Sequence, residues 1–288
     1  MMETYNDIYL RVRRELKAAG VEASELEARL IVTSCAQRSR EELLAMSKLY
    51  ATDIKIRMKI DEYLERRLQG EPIAYIVGEW EFYGIPLVIN EHVLIPRVDT
   101  EVLAREAIEL LKGRVHQSRV LDLCAGSGCV GLAIAKHIPG CRVVMIDSSV
   151  EALAVCRQNT LLNSLSKNIT VIEADVLEKP PAIMGEFDLI VSNPPYIPTA
   201  DIATLDYSVK DYEPLMALDG GEDGLKFYRA IVSNWSKLLK DGGQLAFECG
   251  EGQAAAVRHI MKEHGFMDIT THKDTLDIER VVIGMLIT

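Results

Sequence analysis

The sequence predicts an α/β protein: a mainly parallel sheet, preceded by a small helical bundle and a β-hairpin linker. Three observations carry this prediction. From residue 119 onward, short apolar strands alternate with helical patterns, the mark of a parallel sheet flanked by helices. Val120-Leu121-Asp122-Leu123 runs straight into the turn Cys124-Ala125-Gly126-Ser127-Gly128, and a helix opens at Cys129. That strand-turn-helix order is how an open sheet builds a crevice at the carboxyl ends of its strands. Residues 5–70, by contrast, read as helices throughout.

The 288 residues are enough for one or two domains with real cores, and 48% of them are apolar. A formal net charge of −11 is a poor match for a protein that grips nucleic acid through its phosphates. The six cysteines include no C-x-x-C pair, so neither a metal site nor a disulfide framework is expected, and a reducing cytoplasm suits them. The polar first residues carry no signal-peptide pattern, and no apolar run approaches the ~20 residues of a membrane span. A cytoplasmic monomer without membrane contact is expected.

The elements follow in order. Tyr5–Ala19 forms a first helix, stopped by Gly20. Ser24 with Glu27, and Ser39 with Glu42, are two capping boxes that open the second and third helices. Asp53–Leu68 repeats Ile56, Ile60, Tyr63 and Leu64 at helical spacing, and Gly70 ends it. This bundle holds no catalytic pattern, which leaves a stabilising cap or a docking surface. Residues 72–98 are punctuated by prolines and glycines, and Leu87–Asn90 and His92–Ile95 flank an expected turn at Asn90-Glu91. Asp99 or Thr100 caps the helix that carries Val102, Leu103 and Ile108. The strands expected beyond it are 119–123, 142–147, 169–175, 187–193, 244–249, 267–272 and 281–287. Ser149 caps the helix after the second of these, 199–225 is a long loop, and one helix spans Lys226–Leu239.

The turn at 124–128 meets the G-x-G-x-x-G spacing only loosely, through Gly126, Gly128 and Gly131, so it leaves dinucleotide binding open. Three acids tilt the reading. Asp122 can reach a cationic or amino group at the crevice floor. Asp147 ends the second strand and suits a ribose diol. Asp175 ends the third and is positioned to accept an adenine amino group. An adenosine carrying a sulfonium and an amino-acid tail satisfies all three. The plain alternative for each acid is a strand-end residue that caps the next helix.

Asn193-Pro194-Pro195-Tyr196 is the sharper motif. A residue before proline is held extended, and two successive prolines supply no N–H, so the turn is stiff. The Asn193 side-chain oxygen and the Pro194 carbonyl can each accept one hydrogen of a planar –NH₂ group, and Tyr196 can pack on its face. Such a nitrogen is a poor nucleophile, and positioning is the main means of promoting its reaction. The plain alternative is a proline turn that ends a strand.

Together these residues resemble those of the class I S-adenosylmethionine-dependent methyltransferases that act on amino or amide nitrogen. More narrowly, the chain resembles the release-factor-type protein-(glutamine-N5) methyltransferases, the PrmC/HemK family. The resemblance covers essentially the whole chain. It rests on Gly70-Glu71-Pro72-Ile73-Ala74-Tyr75-Ile76-Val77-Gly78, Phe82-Tyr83-Gly84, the segment from Leu94 to Glu101, Glu213-Pro214 with Ala217-Leu218, Gly220–Leu225, and Asn193–Tyr196. Pro96–Glu101 favours the release-factor branch over the ribosomal-protein branch.

The resemblance implies a seven-stranded Rossmann-like catalytic domain over 101–288, a hairpin linker over 78–100 and a helical substrate-docking domain over 1–77. It implies methylation of the glutamine in the Gly-Gly-Gln motif of class 1 peptide chain release factors, and the expected mechanism is direct in-line attack of the amide nitrogen on the sulfonium methyl, with no covalent enzyme intermediate. By resemblance Cys124, Ala125, Gly126, Ser127 and Gly128 line the S-adenosylmethionine site, joined by Asn193; Asp147 holds the ribose, and Asp175 and Val176 flank the adenine. Asn193, Pro194, Pro195 and Tyr196 bind the glutamine amide, with Asn193, Pro194 and Tyr196 in the catalytic role. Two departures stand out: Val98 where a proline is usual, and Cys124-Ala125 in place of the usual small pair of the turn. Val98 loosens the segment before the helix, whereas the small size of Cys124 and Ala125 is expected to preserve the loop. The rival readings are methylation of an exocyclic amine on an RNA or DNA base, which presents the same –NH₂ group when flipped, and a non-enzymatic binding protein that keeps the fold. The acidity and the lack of a basic domain oppose the first, and no direct nucleic-acid binding is expected.

Overall fold

The computed structural model describes residues 3–113 and 117–287. Its backbone contacts divide into two compact units. One runs to Glu79 and takes in Tyr207–Tyr212; the other comprises Trp80–Asp206 and the chain from Glu213 onward.

The first unit is built from α1 (Tyr5–Ala18), α2 (Ser24–Ala36), α3 (Arg40–Ala45), α4 (Ile54–Leu68) and α5 (Ile73–Val77). Its core is the periodic apolar set: Ile8, Val12 and Leu16 of α1, Ile31 and Val32 of α2, and Ile60 and Leu64 of α4. The Ser39–Glu42 capping box forms as expected, and Asp53 caps α4 by accepting from Lys55 N at 2.8 Å. The Ser24–Glu27 box does not form. Ser24 is already helical behind Ala23, and the Glu27 carboxylate is taken by Arg67 at 2.6 Å on α4. A long-range charged partner outcompetes a local cap, because charge-assisted bonds are the stronger kind.

The second unit opens on a hairpin of β1 (Glu79–Phe82) and β2 (Ile85–Val88). The turn is Tyr83-Gly84, not Asn90-Glu91. Both turn residues have positive φ, 50° and 72°, as a two-residue hairpin loop that matches strand twist requires. Asn90 instead accepts from His92 N through Oδ1 at 3.1 Å, a local turn that carries His92–Ile95 onward as irregular chain. α6 (Thr100–Leu111) follows. Neither Asp99 nor Thr100 caps it by a side chain: Asp99 pairs with Arg280 at 3.1 Å, and Thr100 is buried.

The remaining elements are β3 (Arg119–Leu123), α7 (Cys129–His137), β4 (Arg142–Asp147), α8 (Val150–Leu162), β5 (Ile169–Glu173), β6 (Phe187–Ser192), α9 (Tyr207–Lys210), α10 (Lys226–Ala230), β7 (Leu239–Glu248), α11 (Ala254–Glu263), β8 (Phe266–Lys273) and β9 (Glu279–Leu286). The long loop carries 3₁₀ turns at Thr199–Thr204 and Leu215–Ala217, and α9 within it belongs to the first unit. The expected single helix over 226–239 is broken: α10 passes into a π-turn at Ile231–Trp235 and a 3₁₀ turn at Ser236–Leu238. The wider turn re-aims Trp235, whose indole N–H donates to Val176 O at 2.9 Å and to Glu178 O at 3.0 Å.

The sheet has seven strands in the order β5-β4-β3-β6-β7-β9-β8. β5, β4, β3, β6 and β7 pair in parallel, and β9 runs antiparallel between β7 and β8. The order reverses direction between β3 and β6, which is where an open sheet leaves a crevice outside its strand ends. Every residue of β6 is buried, as expected of a strand covered on both faces. Trp235, Tyr228, Phe187 and Phe247 are the largest side chains of the core beside it.

Candidate active site

β3 and β6 pair Leu123 with Ser192, and the Ser192 hydroxyl donates to Leu123 O at 2.8 Å. The residues that follow them, Cys124 and Asn193, therefore leave adjacent strand ends at the reversal point. Two sequence motifs 69 positions apart become neighbours by register alone. They open on one cavity of about 570 Å³, within the ~300–1,000 Å³ range of small-molecule sites.

The cavity gathers Cys124, Ala125, Gly126, Ser127, Asp147, Asp175, Val176, Asn193 and Pro195 from the expected set. Gly128, Pro194 and Tyr196 are not among its lining residues. Gly128 supports the turn from behind. At φ +81° it is left-handed, and a Cβ there would sit 2.9 Å from Cys156 Sγ and 3.1 Å from Met145 Sδ. Cys124 also takes a left-handed φ of +58°, a conformation that glycine adopts at least cost. Its side chain remains half-buried at the wall.

Asp147 accepts from Gly126 N at 2.8 Å and from Ser149 N at 3.0 Å, one bond to each oxygen. It thus ties the glycine turn to the end of β4, and burial raises its pKa. A carboxylate has about four acceptor sites, so Asp147 retains capacity for hydroxyl donors. Asp175 accepts from Leu177 N at 2.8 Å, and the segment beyond it is pinned by Trp235. Ser149 caps α8 by accepting from Ala152 N at 3.0 Å.

Asp122 does not present its carboxylate to a ligand as its first task. Although it contributes to the cavity floor, its Oδ2 accepts from Gly131 N at 2.9 Å, and burial lifts its pKa to about 7. Gly131 is a packing residue: a Cβ there would meet Met145, Asp122 and Val143, all within about 3.1 Å. Its place in the glycine spacing reflects the close approach of α7 to the sheet.

Asn193 is half-buried, and its Nδ2 donates to Thr100 Oγ1 at 3.2 Å. Pro194 and Pro195 are buried behind it. Tyr196 is held through its backbone. Its carbonyl accepts from Gln253 Nε2 at 2.8 Å, and the glycine-rich 220–224 segment packs on it so closely that a Cβ on Gly220 would lie 2.8 Å from its backbone. Burial pushes the Tyr196 phenol well above its ordinary range, so it is neutral at pH 7.

Several participants have no role assigned by the sequence, although Glu213 belongs to the Glu213-Pro214 motif. Asn159 of α8 is fully buried; its Oδ1 accepts from Val88 N at 2.6 Å, and its Nδ2 donates to Val88 O and Ser127 O at 3.0 Å. It joins the hairpin to the glycine turn. Glu213 accepts from Ile95 N at 3.2 Å and pairs with Arg97, so the 92–97 strap and the Leu215–Ala217 turn form one wall. Glu248, at the end of β7, is 2% exposed. The one available signal for Glu248 is an acid directly after the apolar run Leu245-Ala246-Phe247.

A cavity lined by the acids Asp122, Asp147 and Asp175 together with the Asn193 amide fits an adenosine that carries a cationic centre. Asp147, Asp175, Val176 and the 124–128 turn are the residues that would hold it. Among the described residues no cluster of side chains suits a metal ion, and no helix is long and apolar enough to cross a membrane.

Comparison with known proteins identifies the family. Residues 100–205 match the "Methyltransferase small domain" family model, and residues 7–78 match the "PrmC N-terminal domain" model. A release factor glutamine methyltransferase of Caulobacter vibrioides is 38% identical over 94% of this chain and 92% of its own. One from Thermodesulfovibrio yellowstonii is 43% identical over 78% of this chain and 80% of its own. Among solved structures, the hMettl16 catalytic domain in complex with MAT2A 3'UTR hairpin 6 superposes with a TM-score of 0.58 at 15% identity. It covers 77% of this chain and 81% of that one, and bears on the fold alone.

Proposed function

Because this chain belongs to the release factor glutamine methyltransferase family, we propose that it methylates the side-chain amide nitrogen of the glutamine in the Gly-Gly-Gln motif of class 1 release factors. The observation that carries the proposal is the setting of Asn193. It stands at the end of β6 beside the 124–128 turn, opens on the same cavity as Asp147 and Asp175, and has its Nδ2 committed to Thr100. The acceptor it offers to a substrate –NH₂ group is therefore Oδ1, and the Pro194 carbonyl is the second.

S-adenosylmethionine, when bound, supplies an electrophilic methyl group. Asp147 would accept the ribose hydroxyls, Asp175 and Val176 would flank the adenine, and residues 124–127, supported by Gly128, would line the remainder. Asn193 and Pro194 hold the amide plane and stabilise the positive charge that develops on its nitrogen. Tyr196 stays neutral and supplies a packing surface. Orientation of this kind is worth roughly 7–11 kcal/mol when alignment is good. The helical residues 1–77 dock the protein substrate, 78–100 act as linker, 101–288 form the catalytic domain, and the protein works in the cytoplasm.

The test is to incubate the protein with methyl-labelled S-adenosylmethionine and a class 1 release factor, or separately with RNA or DNA, and to locate the label by mass spectrometry. Label is expected on the Gly-Gly-Gln glutamine, and Asn193→Ala should lower that rate by ~10²-fold or more while cofactor affinity survives. Label on nucleic acid would overturn the substrate class. No label on the release factor would overturn the reaction.

A further inference from the structure

β6 and β7 are parallel neighbours that pair Ser192 with Phe247. The next residues are Asn193 and Glu248, so the strand register sets the glutamate beside the asparagine. Glu248 does not line the cavity, whereas Asn193 and Thr100 do. Its side chain is enclosed, and among the described residues its Oε2 has no hydrogen-bond partner. A buried acceptor left in this state is costly, and a native protein retains such a group for a reason. Thr100 Oγ1, which accepts from Asn193 Nδ2, and the Asn193 amide itself both act on the Glu248 carboxyl and favour its charged form.

We propose that Glu248 is a positioning residue: its ionised carboxylate, acting with Thr100, draws the Asn193 Nδ2 inward and thereby fixes Asn193 Oδ1 toward the substrate amide. An ionised carboxylate accepts and cannot donate, so it tolerates only the N–H end of the asparagine on its side. A flipped Asn193 would set its carbonyl against the carboxylate and present a donor to the substrate –NH₂, which needs an acceptor. The same negative charge, in a site shielded from water, favours the positive charge that develops on the methylated nitrogen. This role rests on the methyltransferase reading above.

Burial raises the Glu248 pKa to about 7, so its charge changes within the working range. The titratable groups around it are Asp99 ahead of α6 and Arg280 on β9, Tyr196 after β6, Tyr228 on α10, Cys129 on α7, and the adjoining Cys249. Burial lifts the two phenols and both thiols well above neutrality. Asp99 and Arg280 form an ion pair at 3.1 Å whose members act on Glu248 in opposite senses.

Two readouts on the full-length protein test the proposal. The first is independent of the substrate: the side-chain –NH₂ signals of Asn193 in the ¹⁵N-labelled protein, assigned with Asn193→Gln, followed from pH 5.5 to 8.5. They are expected to shift with a midpoint near 7 in the wild type and to stay still in Glu248→Gln. The second is release-factor methylation. Glu248→Gln should lower kcat by ~10²-fold with the release-factor KM and S-adenosylmethionine affinity nearly unchanged, and should lose the rise in kcat across pH 7. Thr100→Val, which keeps the carboxylate and removes the intervening hydroxyl, should lower kcat in the same way. A wild-type Asn193 signal that ignores pH would overturn the coupling, and a Glu248→Gln enzyme with normal kcat and an intact pH limb would overturn its catalytic consequence. A wild type inactive on release factors would overturn the function proposed above while the Asn193 titration still reported on the coupling.

Discussion

Burial decides what the individual acids of this site do. Asp122 and Glu248 are both enclosed, and both are lifted to a pKa of about 7, whereas Asp223, exposed and paired with Arg229, is lowered to about 2. The sign for stability follows from linkage. A carboxyl whose folded pKa is raised binds its proton more tightly in the folded state, so its contribution is fully present below about pH 4 and is lost as pH rises through 7. For Asp122 the loss between pH 5 and 8 is about 2–3 kcal/mol. Asp122→Asn keeps an acceptor for Gly131 N and removes the titration. Its stability relative to the wild type is expected to improve by about that amount between pH 5 and 8, read from urea unfolding at the two pH values. A constant difference between the two curves would mean that Asp122 is not the titrating group.

At the scale of elements, the cavity is held by side chains that reach across from neighbouring elements. Asn159 of α8 joins β2 to the glycine turn, Glu213 joins the strap to the loop, and Trp235 grips the chain beyond β5. The π-turn that breaks the expected 226–239 helix is what aims Trp235 at Val176 and Glu178. Trp235→Phe keeps an aromatic ring in the core and removes the two hydrogen bonds. It is expected to cost ~1–3 kcal/mol of stability and to weaken S-adenosylmethionine binding by about tenfold, measured by calorimetry. Unchanged affinity would show that the 175–178 segment is held by packing alone.

At the scale of the whole molecule, two of the hydrophobic cores among the described residues share no residue. One is the α1–α4 bundle around Ile8, Ile31 and Ile60, and the other surrounds Trp235 and Phe247. Ile31 is fully buried, and Ile31→Ala is expected to cost ~2–5 kcal/mol in the bundle. Because the cavity is lined from the second unit alone, S-adenosylmethionine affinity should change less than about twofold, which equilibrium titration at 25 °C would establish. A parallel loss of affinity would show that the two cores are energetically coupled.

What the sequence determined by itself was local: the periodic bundle, the Ser39 and Ser149 caps, the alternation of strands with helices, and the strand-end placement of Cys124, Asp147, Asp175 and Asn193. These depend on neighbours a few residues away, so composition and spacing reveal them. Tertiary structure decided the rest. Arg67, 40 residues from Glu27, removed the expected cap of α2. Two positive φ angles at Tyr83-Gly84 set the hairpin turn, rather than Asn90-Glu91. Strand register set Glu248 beside Asn193, and the close approach of α7 to the sheet showed Gly131 to be a packing residue. Register, burial and the reach of one side chain across the sheet are properties of the assembled molecule. A buried acid at a strand end looks the same in sequence whether it faces a ligand, a backbone N–H or another side chain.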